Sequence, residues 1–318
     1  MKDRYGREIS YLRISLTDLC NLRCVYCMPA EGISKLRHRD ILSLEEVTEI
    51  AGAAVELGIR KIRLTGGEPL VRRGVVELVR KLKALPGLEE LALTTNGILL
   101  PELARPLKDA GLDRVNISLD TLDAEKYRRL TRLGSLEQAL WGIRAAEDAG
   151  LSPIKLNAVL IGGVNDDEIP ALVALTETKP IELRFIELMP IGDMPDFGPE
   201  AYLPAETVLE RLPELRPVES PRGSVARLYA LPGAAGRVGL IRPVSCSFCS
   251  ECSRIRLTAD GYLKPCLHSD KEFPLKGLHG DALREAILAA VSAKPEAHAA
   301  LSATERSDAG RNMNEIGG

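Results

Sequence analysis

Short apolar segments alternate with longer amphipathic ones through residues 11–190, and this alternation is the strongest constraint on the fold. The segments with the composition of buried strands are YLRISLTD, KIRLTGG, ELALTTNG, RVNISLD, IKLNAVLIGG and IELRFIELMP. Segments of helical periodicity follow them, which predicts six strand–helix units of about 30 to 40 residues each. Strands joined by such crossovers are parallel, and a right-handed series of them forms either a barrel or an open sheet.

The clearest of the predicted helices lies in the segment SLEEVTEIAGAAVELG. Ser43 and Glu46 have the spacing of a capping box, in which each side chain accepts a hydrogen bond from the other residue's backbone. Leu44, Val47 and Ile50 then recur at helical spacing. The segment therefore predicts an amphipathic helix that begins just after Ser43.

Polar and glycine residues follow most of the predicted strands at the point where each strand ends. Examples are GGE after the second strand and TTN after the third. Sites of parallel α/β folds lie at the carboxyl ends of strands, and a barrel draws on most of its strands. We therefore predict an α/β fold, with an incomplete (βα)6 TIM-type barrel over residues 1–215. A C-terminal region over residues 216–318 is predicted to hold irregular strands and a helix from Gly280 to about Ser292.

The composition is that of a globular protein without a broad basic surface for nucleic acid. The chain has 318 residues, of which 45% are hydrophobic and 27% charged, and its formal net charge is -3. No uncharged apolar run approaches the roughly 18 residues that a membrane-spanning helix needs. The first residues, MKDRYGREIS, lack the apolar core of a secretory signal. We therefore expect a cytoplasmic protein that binds neither nucleic acid nor membrane.

The seven cysteines form two groups, separated by more than 200 residues without cysteine. An odd number in a reducing compartment indicates metal binding or catalysis rather than a disulfide framework. The first group, Cys20, Cys24 and Cys27, has the spacing C-x3-C-x2-C. Three thiolates leave one iron of a four-iron cluster open to a substrate or cofactor. The same thiolates could instead belong to a zinc site completed by a distant fourth ligand.

The second group places Cys249 and Cys252 in a C-x2-C pair, and Cys266 follows after 13 further residues. These three could hold another open four-iron cluster. With the nearby Cys246, the group could instead close a structural zinc site or a fully ligated electron-transfer cluster. The residues alone leave these alternatives open. The histidines show no ligand spacing and receive no role; they are His38, His268, His279 and His298.

The first cysteine group and the loop after the second strand resemble the radical S-adenosylmethionine superfamily. Tyr26 precedes the third cysteine, and TGGEP (Thr65 to Pro69) follows one strand–helix unit later. The resemblance covers the whole predicted barrel. It implies a [4Fe-4S] cluster whose open iron binds S-adenosylmethionine, from which one electron releases a 5′-deoxyadenosyl radical. The residues that it places around S-adenosylmethionine are Tyr26, Gly67, Ser118 and Met189.

The C-terminal region is similar to that of the GTP 3′,8-cyclases of molybdenum cofactor biosynthesis. The shared pattern is C-x2-C-x-R-x-R-x9-C followed by a terminal Gly-Gly, and the similarity spans nearly all of the chain. It implies a second [4Fe-4S] cluster on Cys249, Cys252 and Cys266, whose open iron meets the guanine of GTP. Cys246 departs from the family pattern, and we interpret it as a neighbour of the cluster rather than a ligand.

The same resemblance implies a set of residues that bind GTP. Arg254 and Arg256 lie two apart in a predicted strand, so their guanidinium groups face one side and suit phosphate oxygens. They are also the implied catalytic residues, together with Gly317 and Gly318 of a tail that reaches into the active site. The implied GTP-binding residues are Arg13, Arg63, Thr94, Lys155, Arg254, Ile255 and Arg256. Singly, each basic residue would be an ordinary surface charge, but several at strand-interior positions need an anionic partner.

The resemblance implies a lyase that converts GTP to (8S)-3′,8-cyclo-7,8-dihydroguanosine 5′-triphosphate. The radical would remove hydrogen from C3′ of the ribose, and the resulting carbon radical would add to C8 of guanine. Reduction and protonation of this second radical, through the second cluster or a nearby arginine, would complete the product. Implied partners are a flavodoxin- or ferredoxin-type reductant, a downstream cyclic pyranopterin monophosphate synthase and a second copy in a homodimer. Two alternatives are a peptide-modifying radical enzyme with an auxiliary cluster and a non-catalytic iron–sulfur electron carrier. The R-x-R pattern and the Gly-Gly tail disfavour the first, and TGGEP disfavours the second.

Overall fold

The computed structural model describes residues 1–33, 36–192, 197–221, 223–246, 248–302 and 307–317. Gly318 and the side chain of His38 lie outside this description. Strands and helices alternate through the first part of the chain, as predicted. Their bounds are β1 (Tyr11–Ser15), α1 (Leu44–Glu56), β2 (Lys61–Thr65), α2 (Val75–Lys83), β3 (Glu90–Thr95), α3 (Leu100–Asp109), β4 (Arg114–Ser118), α4 (Ala124–Thr131), α5 (Leu136–Asp148), β5 (Lys155–Leu160), α6 (Ile169–Thr178) and β6 (Glu182–Glu187).

After β6 the elements become shorter, apart from one long helix near the end. Their bounds are α7 (Thr207–Arg211), β7 (Arg216–Pro217), β8 (Ala226–Ala230), β9 (Arg237–Ile241), β10 (Arg254–Leu257), β11 (Tyr262–Lys264), β12 (Phe273–Pro274), α8 (Gly280–Ser292) and α9 (Met313–Ile316). The long helix, α8, has the bounds that the sequence predicts. Among the described helices, none combines the length and apolar character needed to cross a bilayer.

The described strands form one mixed sheet in the order β12-β11-β10-β1-β2-β3-β4-β5-β6-β9-β8-β7. The six predicted strands pair in parallel from β1 to β6. Two strands of the C-terminal region extend this parallel core, because β10 pairs with β1 and β9 pairs with β6. The prediction did not include β9 and β10 in the barrel, since neither follows a crossover helix of the repeating unit.

The capping box predicted for α1 is present. The Ser43 hydroxyl accepts from the Glu46 amide at 3.1 Å, and the Glu46 carboxylate accepts from the Ser43 amide at 2.7 Å. Val47 and Ile50 on its apolar face are buried in the main core. Local sequence therefore sets both the start of this helix and the face that it packs against the sheet.

Alternate residues of the parallel strands face opposite sides of the sheet, which separates the core from the site. In β1, Leu12 is 1% exposed and Ile14 is fully buried, and both pack in the main core with Ile62 of β2. Arg13 lies between them in sequence and therefore faces the inside of the barrel, where it lines a cavity. The inner face thus carries polar residues, and the outer face carries the core.

Glu187, at the end of β6, ties the C-terminal region to the barrel. Its buried carboxylate accepts from the backbone amides of Ala205 at 3.1 Å and of Val244 and Ser245 at 2.9 Å each. It also accepts from the Ser245 hydroxyl. Hydrogen bonds to a charged acceptor are stronger than neutral ones, and these amides would be unsatisfied without it. Glu187 therefore holds the segment before the second cysteine group against the barrel.

We expect Glu187→Ala to lower the free energy of unfolding by about 2 to 4 kcal/mol, because three backbone amides lose their acceptor. Urea denaturation of the metal-free chain under reducing conditions measures the change. Glu210→Ala, at an exposed position of α7, is the matched control, with an expected change below about 0.5 kcal/mol. Equal effects of the two substitutions would contradict the anchoring role of Glu187.

Candidate active site

The carboxyl ends of the parallel strands surround a cavity of about 2110 Å³, counted with its open mouth. Loops after five of the first six strands contribute to its wall. The cysteines that line it are Cys20, Cys24, Cys27, Cys249, Cys252 and Cys266. The fold therefore brings the two cysteine groups into one site.

The first cysteine group lies on the loop after β1, and the end of α4 holds this loop in place. The amide of Val25 donates to the carbonyl of Leu130, in the last turn of α4, at 2.9 Å. Within the loop, the amide of Cys27 donates to the carbonyl of Cys24 at 2.9 Å. Backbone hydrogen bonds thus help to fix the turn between these two thiols.

The TGGEP loop after β2 packs directly against the chain that leads into the first cysteine group. The amide of Gly67 donates to the carbonyl of Thr17 at 2.8 Å. A Cβ atom on Gly67 would lie 2.5 Å from the carbonyl oxygen of Leu19, and one on Gly66 would lie 2.6 Å from that of Thr17. Because these approaches leave no space for a side chain, the contact between the two loops requires glycine at both positions.

The carboxylate of Glu68, in the same loop, connects it to the loop after β3. Glu68 is 1% exposed and accepts from the Thr95 hydroxyl and the Asn96 amide, both at 2.8 Å. It also accepts from the amide of Leu70 at 3.0 Å. Burial raises the pKa of Glu68 to about 7. These bonds fix the wall of the cavity between the second and third strands.

Burial makes the first three thiols weak acids. It raises the pKa of Cys20 and Cys24, and it raises that of Cys27 to about 12. Metals bind the thiolate form, so these thiols need a cationic partner to lose their protons inside the cavity. No disulfide joins any of the seven cysteines, all of which are described residues. In the part of the chain that the structure describes, no group of three or more His, Cys, Asp or Glu side chains is placed to hold a single metal ion.

The second cysteine group lies in a more basic part of the cavity. Burial opposes ionisation of Cys252, but Arg254 and Lys294 lower its pKa to about 6. Lys294 is itself buried, and its ammonium donates to the carbonyls of Arg254 at 2.8 Å and Pro265 at 2.7 Å. Pro265 precedes Cys266, so one buried cation braces the backbone beside two of the three cysteines.

Three arginines form a row across three neighbouring strands inside the barrel. Arg13 of β1 lies directly opposite Arg256 of β10 on one side and Arg63 of β2 on the other. Neighbouring strands are about 4.8 Å apart, so three like charges face the cavity side by side. Arg63 and Arg256 are only 5% and 7% exposed. Among the described residues, no acidic side chain forms an ion pair with any member of this arginine row.

In the described part of the chain, the arginine row has no counter-charge. Burial lowers the pKa of Arg13 and Arg256 and brings that of Arg63 to about 9, and neighbouring guanidinium groups add to the effect. The Nε atoms of Arg13 and Arg63 are buried without a hydrogen-bond partner. Buried cations without partners are costly, and an anion with several oxygens would relieve this cost. The geometry therefore suits a polyanionic ligand such as a phosphate chain.

The C-terminal tail reaches the arginine row. The guanidinium of Arg256 donates to the carbonyl of Gly317, which has a φ of 82°. A Cβ atom on Gly317 would overlap the hydroxyl oxygen of Thr65, so both the backbone and the space favour glycine. Asn314 of α9 is 1% exposed and lines the cavity, and neither polar atom of its side chain has a hydrogen-bond partner among the described residues. The tail therefore forms part of the cavity wall.

Comparisons with known proteins assign the family. The radical SAM superfamily profile matches residues 14–176, and that of Molybdenum Cofactor Synthesis C matches residues 181–300. A GTP 3′,8-cyclase of Alkaliphilus oremlandii (strain OhILAs) is 51% identical over the full length of both chains. A GTP 3′,8-cyclase of Peptoclostridium acidaminophilum is 54% identical over 99% of this chain and 98% of its own. The chain belongs to the GTP 3′,8-cyclase family of radical SAM proteins.

Two solved structures share the fold at much lower identity. Streptococcus suis SuiB, bound to the precursor peptide SuiA, aligns with a TM-score of 0.65 at 15% identity. That alignment covers 91% of this chain and 66% of SuiB. Native anSMEcpe with bound AdoMet aligns with a TM-score of 0.59 at 14% identity, over 90% of this chain and 81% of its own. At these identities the likeness shows the fold alone, and it confirms the predicted α/β barrel.

The cofactors of this radical SAM cyclase are S-adenosylmethionine and two [4Fe-4S] clusters, and the cavity residues fit them. Each cysteine group presents three thiols to the cavity, which suits a cluster with one iron left open. Cys246 is exposed and is not part of the cavity wall. The interpretation of Cys246 as a neighbour of the cluster rather than a ligand stays a prediction.

Most of the predicted site residues line the cavity of this cyclase, although their individual roles stay predictions. Two predicted GTP-binding side chains do not line it. Ile255 is 1% exposed and packs in the core, because it alternates with Arg254 and Arg256 along β10. Lys155 lies at the start of β5, where its ammonium pairs with Glu182 at 3.0 Å. The predicted residues on the wall, besides the cysteines, are Arg13, Tyr26, Arg63, Gly67, Thr94, Ser118, Met189, Arg254 and Arg256.

The charged residues of the cavity that the predicted site did not include are Glu68, Asp120, Arg184, Glu187 and Lys294. Asp120 and Arg184 are examples. Asp120 follows β4 and accepts from the Tyr26 hydroxyl at 2.6 Å and the Val159 amide at 2.8 Å. Burial raises the pKa of Asp120 to about 6. Arg184 of β6 lines the cavity and adds to the positive charge around Arg63. Only the positions of these residues along their strands could have indicated the site. Asp120 lies just after the end of β4, and Arg184 occupies a position of β6 whose side chain faces the inside of the barrel.

We expect Gly67→Ala to lose the first cluster and keep the second, because its Cβ would displace the chain before Cys20. After anaerobic reconstitution, the variant is expected to hold about half of the iron and sulfide of the parent chain. Gly52→Ala is the matched control, since a Cβ in that helical position would lie 3.7 Å from its nearest neighbour. Full iron content in Gly67→Ala would show that the loop contact is not needed.

We expect Arg63→Met to stabilise the ligand-free chain by about 1 to 3 kcal/mol, because it removes a buried, unpaired charge. The same substitution is expected to weaken binding of tripolyphosphate about 10- to 100-fold, since one charged donor is lost. Urea denaturation and calorimetric titration measure the two effects. Arg227→Met, on an exposed position of β8, is expected to change neither. A destabilised Arg63→Met variant with unchanged tripolyphosphate affinity would count against the anion site.

Proposed function

We propose that this chain converts GTP to (8S)-3′,8-cyclo-7,8-dihydroguanosine 5′-triphosphate, the first step of molybdenum cofactor biosynthesis. The observation that carries the proposal is the arginine row, which lies in the same cavity as two three-cysteine groups. A nucleoside triphosphate supplies the counter-charge that these buried guanidinium groups lack. The relatives described as GTP 3′,8-cyclases, at 51% and 54% identity, support GTP as that nucleotide.

The arginine row binds the triphosphate in this proposal. Arg13 occupies the centre of the row, so phosphate oxygens above it lie within reach of Arg63 and Arg256 as well. Guanidinium groups offer several donors in a fixed plane, which suits adjacent phosphate oxygens. Thr94 and Arg184 lie on the same cavity wall and extend the site beyond the row.

The guanine is directed along β10 towards the second cysteine group. Arg254 precedes Arg256 by two residues on the same face of the strand and donates a hydrogen bond to the Cys252 thiol. A nucleotide with its phosphates on the arginine row can therefore extend its base past Arg254. This orientation brings the base to the cluster held by Cys249, Cys252 and Cys266.

The remaining predicted residues hold S-adenosylmethionine and exclude water. When bound, the first cluster and S-adenosylmethionine supply the 5′-deoxyadenosyl radical that takes hydrogen from C3′ of the ribose. Tyr26, held by Asp120, lies on the wall with Ser118 and Met189. Gly317 closes the site beside Arg256 and shields the reacting groups from solvent.

Several assignments depend on the family resemblance alone and stay predictions. A flavodoxin- or ferredoxin-type donor supplies the electron for the first cluster. A cyclic pyranopterin monophosphate synthase consumes the product. The chain acts in the cytoplasm, forms a homodimer, and divides functionally at residues 215 and 216.

The two alternative functions account for less of the site. A peptide-modifying enzyme does not require three adjacent buried arginines without counter-charge, because a peptide backbone carries no phosphate. An electron carrier requires neither the arginine row nor a cavity of this size. The precursor peptide of the similar SuiB structure is bound by that protein, and at 15% identity the likeness extends to the fold alone.

The proposal predicts that the anaerobically reconstituted chain, with reductant, S-adenosylmethionine and GTP, forms 5′-deoxyadenosine and consumes GTP. Chromatography of the quenched reaction measures both. If 5′-deoxyadenosine forms normally but GTP is not consumed, the assignment of GTP as the substrate is refuted. Absence of 5′-deoxyadenosine from fully reduced enzyme would refute radical chemistry altogether.

Substitution of one cysteine separates the roles of the two clusters. Cys249→Ser is expected to abolish cyclisation while the first cluster still binds S-adenosylmethionine, because the two sites use different thiols. Cys246→Ser is the matched control and is expected to cyclise GTP at the parent rate, since Cys246 is exposed and outside the cavity wall. Normal cyclisation by Cys249→Ser would make the second cysteine group structural.

A further inference from the structure

Arg7, near the N-terminus, fastens the segment after α8 beside the second cysteine group. Its Nη1 donates to the carbonyls of Cys249 at 2.8 Å and Glu296 at 2.7 Å, and its Nη2 donates to that of Pro295 at 2.6 Å. The guanidinium is held by the buried carboxylate of Asp3, at 2.6 Å. One nearly buried cation thus joins the backbone of a cluster cysteine to residues 295 and 296.

Lys294 holds the same segment from its other side. Its buried ammonium bonds the carbonyls of Arg254 and Pro265, as described above. The segment 294–296 therefore has fixed contacts beside all three cysteines of the second group. Such support is typical of residues that must hold a functional side chain at a set position.

This support places the side chain of His298 at the second cysteine group. The imidazole lines the cavity and lies within hydrogen-bonding reach of the Cys249 thiol. The Nδ1 atom of His298 is 2.7 Å from the carbonyl oxygen of Ala299. A carbonyl oxygen only accepts, so Nδ1 carries a proton in this contact. In the neutral ring, the lone pair is then on Nε2, the nitrogen that remains for a metal.

His268, the neighbouring imidazole, is placed differently. Its Nδ1 shares a hydrogen bond with the Ser307 hydroxyl at 2.8 Å, and its ring packs against that of His298 with centroids 4.7 Å apart. It is 8% exposed. His268 thus supports one side of the His298 ring, while Cys249 lies within reach of His298 itself.

We propose that His298 is the protein ligand of the open iron of the second cluster while GTP is absent, and that GTP replaces it. Imidazole nitrogen is a common ligand of iron, and histidine replaces cysteine in some iron–sulfur clusters. The exchange leaves the three thiolates in place and involves no change of oxidation state. It would keep the open iron from binding solvent between turnovers. The replacement step rests on the proposed function, whereas the resting ligand does not.

The test uses the full-length chain with all histidines labelled with 15N. Combined Cys20→Ser, Cys24→Ser and Cys27→Ser substitutions leave the second cluster as the source of the electron paramagnetic resonance signal. Pulsed hyperfine spectroscopy of the reduced cluster is expected to show the coupling of an iron-bound 15N nucleus. The coupling is expected to disappear in His298→Ala and His298→Gln and to persist in His268→Ala and His279→Ala. Absence of coupling in the parent, or its loss only in His268→Ala, overturns the proposal.

Addition of GTP distinguishes failure of this inference from failure of the proposed function. Unlabelled GTP is expected to remove the histidine coupling, and 15N-labelled GTP with unlabelled protein is expected to introduce a new one. His298→Ala is expected to bind GTP about three- to tenfold more tightly, because a competing ligand is gone. In a different outcome, GTP leaves the histidine coupling unchanged and labelled GTP produces no coupling of its own. That result supports His298 as the resting ligand and overturns GTP as the substrate of this site.

The positioning role of Arg7 provides an independent check. Arg7→Met is expected to retain the second cluster but to weaken or split the histidine coupling, because residues 295 and 296 lose their attachment to Cys249. Arg4→Met, an exposed position in the same N-terminal segment, is the matched control and is expected to leave the coupling unchanged. An unchanged coupling in Arg7→Met, with iron content equal to that of the control, overturns the positioning role.

Discussion

The parallel pairing of β10 with β1 is the contact on which the whole site depends. β1 leads into the first cysteine group, and β10 begins two residues after Cys252. Their pairing places Leu12 opposite Ile255 in the core and Arg13 opposite Arg256 in the cavity. A slip of one residue would turn the arginines towards the core and the apolar side chains towards the cavity. The core therefore sets the register, and the register assembles the anion site.

Local features of this fold could be predicted, and non-local ones could not. The cap of α1, the bounds of α8 and the six strand–helix units depend on periodicity and capping, which are properties of short segments. The arginine row depends on which strands become neighbours, and no short segment contains that information. Ile255 is a second example. The motif around it predicted a contact with the substrate, but its side chain points to the opposite face of β10 from Arg254 and Arg256 and packs in the core. Both cysteine patterns could be recognised in the sequence. Only the folded structure shows that the two groups line one cavity.

The site is electrostatically incomplete without its ligands. Burial disfavours the thiolate form of the first cysteines, and the buried arginines have no acidic partners among the described residues. Ligands that supply the missing charges bind the folded chain and stabilise it in proportion to their affinity. The buried thiols and arginines destabilise the ligand-free cavity. For the same reason they favour the binding of metal and nucleotide. Stability and function are coupled through this cavity.

The tail has a consequence for how the protein matures. The backbone amide of Asn314 donates to the Cys27 thiol, so α9 rests on the first cysteine group as well as on Arg256. A cluster that forms on Cys27 must therefore be in place before α9 packs against this thiol, or displace α9. α9 is a helix of four residues, and so short a helix gains little stability from its own hydrogen bonds. Loading of the first cluster and docking of α9 are thus coupled, because both involve the Cys27 thiol.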